Sequence, residues 1–147
     1  MTTIAIRRAG PADAATVHSL IRALAEHQGH ADAVTVNVAD LERMLARPEV
    51  AYLVAERDGR PIGYVSWLER TGFWTGDEHF ALDDLFVVAA ERGHGVGERL
   101  MRAAAEAANG RVIRWEVAET NVAARRFYER IGATLVSKQI CRWQPTA

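Results

Sequence analysis

Cysteine is nearly absent from these 147 residues: Cys141 stands alone. That excludes an internal disulfide and a cysteine-rich zinc site, and it suits a reducing, cytoplasmic setting. Lysine is as scarce, with Lys138 beside seventeen arginines, which reads as compositional bias of the source genome. No apolar run approaches the roughly 20 residues that span a bilayer, so a membrane protein is not expected. The opening MTTIAIRRAG lacks the basic-then-apolar order of a secretory signal and reads as a strand. With net charge −1 and no block of five like charges, the chain shows no nucleic-acid footprint. No Gly-Lys-Ser/Thr triplet occurs, which removes the Walker phosphate loop. What is present, 49% hydrophobic and 25% charged residues, is ordinary for one globular domain over residues 1–147.

Periodicity orders the chain. Thr3 to Arg8 alternates and meets Gly10-Pro11, a strand closed by a turn. Val17, Leu20, Ile21 and Leu24 recur at helical spacing. Asn37, with Asp40 three residues on, caps a second short helix carrying Leu41, Met44 and Leu45, and Pro48 ends it. Val50 to Glu56 and Ile62 to Leu68 are strands joined through Asp58-Gly59, residues that tolerate the positive φ of a tight hairpin. Residues 69–79 form a loop, Phe80 to Val88 a strand, and Gly97 to Ala108 a third helix stopped by Asn109-Gly110. Val112 to Val117 is a strand, Thr120 or Asn121 caps a fourth helix, and Gly132 ends it. Short strands near 134–137 and 140–143 finish the chain. The order β-α-α-β-β-β-α-β-α-β-β implies a mixed α/β (α+β) fold: a central, mostly antiparallel mixed sheet flanked by four helices.

The stretch Leu82 to Leu100, LDDLFVVAAERGHGVGERL, carries the strongest chemical signal. A buried strand feeds Arg92-Gly93-His94-Gly95-Val96-Gly97, and a helix starts at once. Residues without Cβ let backbone N–H groups converge, and the helix start adds its dipole and unpaired donors, so a phosphate or pyrophosphate is the expected ligand. A glycine turn required only for close packing is the bland alternative. A Rossmann loop is the nearer rival, because Glu116 lies about where a ribose-binding acid would sit. Its spacing is Gly-x-Gly-x-x-Gly, however, and its preceding half is a parallel array rather than hairpins.

Arg92-x-x-Gly95-x-Gly97 between strand and helix resembles the acetyl-CoA pyrophosphate loop of the GNAT superfamily of N-acetyltransferases. Asn121-x-x-Ala124-x-x-Phe127-Tyr128-Glu129-x-x-Gly132 is similar to that family's later helix. Leu82-Asp83-Asp84-Leu85-Phe86-Val87 and Phe127 to Ala133 resemble the diamine (spermidine/spermine) acetyltransferase branch. In that branch, though, a glutamate stands at 83 and an acidic segment replaces His27-Gln28-Gly29-His30.

The resemblance implies a GNAT-type domain, acetyl-CoA as cosubstrate, no metal and, as in many relatives, a homodimer. It implies that backbone groups of Leu85, Phe86 and Val87 hold the pantetheine arm and polarise the thioester. Gly93, His94, Gly95, Val96, Gly97 and Glu98 would take the pyrophosphate, Arg92 would add charge, and Asn121 would contact the cosubstrate. Asp83 is the expected acceptor of the amine's proton, or else a lure for a cationic substrate. Its neighbour Asp84 should face the opposite side of the strand. Tyr128 is the expected proton donor to the departing thiolate, with a core tyrosine as the plain alternative. His27, Gln28, Phe73 and Trp74 are expected around the acceptor amine. The function implied is acetylation of a small-molecule primary amine. Acetylation of a protein N-terminus or lysine, and a binding module that senses acetyl-CoA without turnover, are the alternatives.

Overall fold

A computed structural model describes residues 3–146; residues 1, 2 and 147, which the one-domain expectation includes, lie outside them. The chain divides into two compact units after Trp115. The first contains β1 (Ile4–Arg8), α1 (Ala14–His27), α2 (Val38–Leu45), β2 (Val50–Arg57), β3 (Arg60–Thr71), β4 (Glu78–Val87), α3 (Val96–Ala108) and β5 (Ile113–Arg114). The second contains α4 (Val122–Arg130). The sheet runs β1-β2-β3-β4-β5, with antiparallel pairing up to β4 and a parallel last pair.

Local chemistry sets the boundaries. Asn37 and Asp40 close a reciprocal capping box at α2: the Asp40 N–H donates to Asn37 Oδ1 at 2.8 Å, and the Asn37 N–H to Asp40 Oδ2 at 3.0 Å. Asp58 and Gly59, at φ 53° and 77°, make the β2–β3 turn. Both strands flanking the next loop run longer than their composition suggests, so the loop shrinks from 69–79 to residues 72–77.

Tyr52, Val54, Tyr64 and Phe86 of the sheet bury against Val17 and Leu20 of α1 and Leu41 and Leu45 of α2. The opposite face receives α3 through Val96, Leu100, Met101, Ala104 and Ala108. Gly63 on β3 lets β4 come close. A Cβ there would sit 2.6 Å from the carbonyl oxygen of Phe86 and 3.4 Å from a methyl of Leu100. Gly63→Ala is therefore expected to destabilise the fold by about 1–3 kcal/mol through overpacking. Urea denaturation measures it, and an unchanged midpoint would mean that β3 and β4 yield without cost.

Two expectations fail at the C-terminal side. The strand foreseen over 112–117 is only Ile113–Arg114, and no strand forms at 134–137 or 140–143. Within residues 116–146 no neighbouring strand offers a ladder, and alternation without a partner does not make a strand. Val136, Ile140 and Trp143 are accordingly exposed.

Candidate active site

The site begins with a mismatch between β3 and β4. Leu85 pairs with Val65, but Leu82 pairs with Trp67, so Asp83 and Asp84 together oppose the single residue Ser66. This is a β-bulge on β4. Val65 and Trp67, two apart, share one face of the sheet, and their partners Leu85 and Leu82 share it with them. The two residues between must both point to the other face, where Tyr64 lies. The expectation that Asp84 faces away from Asp83 is thereby corrected: the inserted residue cancels the alternation.

The surroundings of the two acids differ. Asp83 is exposed and Asp84 half-buried. The Tyr64 hydroxyl donates to Asp84 Oδ2 at 3.0 Å, and the Asp84 N–H donates to Ser66 Oγ at 3.3 Å. Tyr64 is fully buried, stacks on Tyr52 at 5.8 Å between ring centroids and lies 6.4 Å from Phe86. Burial raises the Asp84 carboxyl above the usual carboxylate range; the Asp83 charge adds to this and the Tyr64 hydrogen bond opposes it. Burial, followed by the charges of Asp83 and Asp84, pushes the Tyr52 hydroxyl up to about 12. The Tyr64 hydroxyl is raised further by the same causes. Both phenols stay protonated at neutral pH, and that of Tyr64 donates to Asp84.

Beyond this cluster β4 parts from β5. Their parallel pairing covers only Phe80 with Ile113 and Ala81 with Arg114. The Val88 N–H bonds to Ile62 O on the β3 side, and the Asp84 N–H also turns toward β3. By alternation the backbone of Phe86 faces β3, whereas the main-chain groups of Leu85 and Val87 point away from it. The expected trio is thus split: Leu85 and Val87 present main-chain groups, and Phe86 contributes its ring to the aromatic floor. Val87 O accepts from Arg92 Nε at 2.8 Å.

The glycine loop follows. Gly93 and Gly95 stand at φ 79° and 78°, and a Cβ on either would meet nothing within 4 Å. Close packing does not explain these glycines; backbone conformation does, and the space beside them is open. Such a loop leading into the start of α3 offers the backbone N–H groups that an anion cradle needs. Glu98 turns along the helix to Arg102 at 3.2 Å, leaving the first turn's backbone to act. An open groove of 1240 Å³ runs from His94 and Gly95 along α3 toward β1, lined also by Arg8, Arg99 and Arg102. Arg92 folds back over β4: its guanidinium sits 5.7 Å from the Phe86 ring centre and 3.2 Å from His27 Nε2. His27, at the end of α1, lies 6.4 Å from Phe86. The structure therefore brings His27 and Arg92 to the end of β4 that carries the acids.

Gln28 is exposed just past α1, with its N–H on Leu24 O. Phe73 and Trp74 are fully exposed at the β3–β4 loop tip. β3 and β4 continue pairing to Thr71 and Glu78, six positions past Val65 on β3 and seven before Leu85 on β4.

In the second unit, Asn121 caps α4, its Oδ1 accepting from the Ala124 N–H at 3.2 Å. Tyr128 is half-buried on that helix, its ring 5.3 Å from Phe127, and burial raises its hydroxyl pKa. Among the described residues no cluster of three or more His, Cys, Asp or Glu side chains could hold a metal ion, and no helix is long and apolar enough to cross a membrane.

A short parallel strand pair beside a glycine loop at a helix start is an arrangement suited to a phosphate-bearing carrier. The sequence comparisons agree. The family model of the acetyltransferase (GNAT) family matches residues 17–133, and the chain belongs to that family. An uncharacterized N-acetyltransferase of Archaeoglobus fulgidus is 38% identical over 95 residues, 58% of this chain and 60% of that protein. An uncharacterized N-acetyltransferase of Bacillus subtilis, YhfO, is 32% identical over 130 residues, covering 86% of this chain and 87% of its own. The thialysine N-epsilon-acetyltransferase of Sus scrofa is 29% identical over 146 residues, with 90% and 85% covered. Among solved structures, an aminoglycoside N-acetyltransferase, AAC(6')-Iy, in complex with CoA shares the fold at TM-score 0.78 and 19% identity, with 99% and 97% covered. The protein is an acyltransferase that uses acetyl-CoA as cosubstrate. The open glycine cradle and the unladdered backbone of Leu85 and Val87 fit that molecule.

Proposed function

We propose that this chain, as one GNAT domain over residues 1–147, acetylates a primary amine on a small molecule of the diamine or polyamine kind by direct transfer. The observation that carries this reading is the pair of carboxylates on one face of the β4 bulge above Tyr52, Tyr64 and Phe86. Adjacent negative charge over aromatic rings attracts an alkylammonium. The thialysine-acetylating relative supports an amine at the end of an alkyl arm.

Bound acetyl-CoA supplies an acetyl thioester. Gly93 to Glu98 would hold its pyrophosphate with backbone N–H groups, Arg92 would add positive charge, Asn121 would contact the cosubstrate, and Leu85 and Val87 would hold the arm. One of their N–H groups would stabilise the charge that develops on the thioester oxygen. An alkylamine has a pKa near ~10, so about one molecule in a thousand is neutral at pH 7. A β4 carboxylate therefore has to relieve the ammonium of its proton. Tyr128 donates a proton to the departing thiolate.

The test is a panel of diamines, polyamines, aminoglycosides and lysine peptides with acetyl-CoA, following thiol release. Small diamines should give the highest kcat/KM. A lysine peptide or protein N-terminus turned over faster than every small amine would overturn the acceptor class.

A further inference from the structure

The bulge gives β4 two carboxylates on one face where an unbroken strand would give one, and their settings are unequal. Asp83 stands in solvent. Asp84 is half-buried, fixed by its own N–H on Ser66 and by the hydroxyl of a fully buried tyrosine on Oδ2. We infer that the two acids divide the work: Asp84 is the base that takes the proton from the amine, Asp83 holds the incoming ammonium, and Tyr64 positions Asp84. This rests on the amine-acetylating reading and moves the base one residue along from where sequence patterning puts it.

Atoms and charges balance. An N–H bond of the ammonium breaks and its proton passes to an Asp84 oxygen, leaving the lone pair on nitrogen. Nitrogen bonds the acetyl carbon, and the C–S bond breaks. The thiolate keeps that electron pair and is protonated from Tyr128. The extra proton left on the amide nitrogen returns through water to the Tyr128 phenolate, and Asp84 releases its own to solvent.

The chemistry favours the inner acid. A base is most effective when its pKa approaches the working pH, and an ordinary carboxylate is too weak. Desolvation and the Asp83 charge lift Asp84 in the needed direction, while the Tyr64 hydrogen bond opposes part of that rise and aims the carboxylate. The groups around it are Tyr52 on β2, Tyr64 and Ser66 on β3 and Asp83 on β4. His27 of α1 and the Arg92 guanidinium lie beyond Phe86. The other residues that α1 and α2 bury in this layer, Val17, Leu20, Leu41 and Leu45, are apolar.

Three substitutions should move the system in three directions. Asp84→Asn removes the base but keeps an acceptor for Tyr64. With 1,4-diaminobutane as acceptor, turnover should fall about a hundredfold or more and the acidic limb of the kcat/KM profile should vanish. Tyr64→Phe deletes a hydrogen bond to the ionised carboxylate, so the limb should move to higher pH. Asp83→Asn deletes a neighbouring negative charge, so the limb should remain but move to lower pH, while KM for the diamine rises about tenfold or more. Carboxyl-carbon NMR of the full chain labelled in aspartate reads the same shifts at Asp84 without any turnover, and melting curves confirm that each variant is folded. A limb that persists in Asp84→Asn, or that vanishes in Asp83→Asn, overturns the assignment. If CoA binds but no amine on the panel is acetylated, the amine reading falls and takes this assignment with it.

Discussion

Tyr128→Phe should lower kcat by about ten- to a thousand-fold while leaving CoA affinity and the melting midpoint nearly unchanged. The range follows from the leaving group. A thiolate can depart without a proton far more readily than an alkoxide, so a general acid accelerates the step without being indispensable. Burial raises the pKa of this phenol, which keeps it protonated at neutral pH and so in the form that donates. Phenylalanine preserves the ring and its 5.3 Å contact with Phe127 and deletes only the hydroxyl. Alanine would confound the result, because the cavity left by an aromatic ring costs several kcal/mol, about 3–5 for a buried one. Stopped-flow measurement of the acetyl-transfer step is the decisive readout. A phenylalanine variant with wild-type kcat in that step would make Tyr128 a packing residue.

The other large effect belongs to the phosphate cradle. CoA should raise the melting midpoint by mass action, and Gly95→Glu should abolish that rise. The residue stands at φ 78°, where a side chain is strained, and its Cβ would enter the open space beside the loop. A carboxylate there repels the pyrophosphate that the backbone N–H groups of the α3 start are set to receive. Gly95→Ala separates the two causes: it keeps the strain, about 1–3 kcal/mol, and adds no charge. The alanine variant should melt lower but still respond to CoA, and the glutamate variant should not respond. Stabilisation of the wild type by NAD and not by CoA would sink the pyrophosphate assignment and restore a dinucleotide loop.

Much of this architecture is legible in short stretches of sequence, for a common physical reason. Asn37-Asp40, Asp58-Gly59 and Gly93-x-Gly95 each act within a few residues of themselves, through a cap, a turn or a positive φ, so the letters that carry the signal sit together. The bulge is different. It is a count of residues between two strands, with Ser66 facing Asp83 and Asp84, and nothing local to β4 records it. Alternation consequently sends Asp84 to the wrong face, and the Tyr64–Asp84 bond escapes notice although two acids inside a largely buried strand were a hint of it. The C-terminal strands fail on the same ground, because Leu135 to Trp143 have strand-like composition but no ladder within their own unit. The length of the β3–β4 pairing, which composition does not record, decides where Trp74 ends up, at the exposed tip of the loop.

The two-rung pairing of β4 with β5 leaves the backbone of Leu85 and Val87 without a ladder partner on that side within the first unit. An arm seated there behaves as a replacement strand, read through amide N–H and carbonyl groups that all twenty residue types except proline share. Recognition of this kind places almost no constraint on the side chains at 85 and 87, so those positions are free to drift while the cosubstrate stays the same. Drift along β4 is instead confined by what the side chains do on the opposite face. Variation among relatives should therefore be loose at Leu85 and Val87 and tight at Asp84, with the acceptor amine, and not the acyl donor, setting where substitutions accumulate.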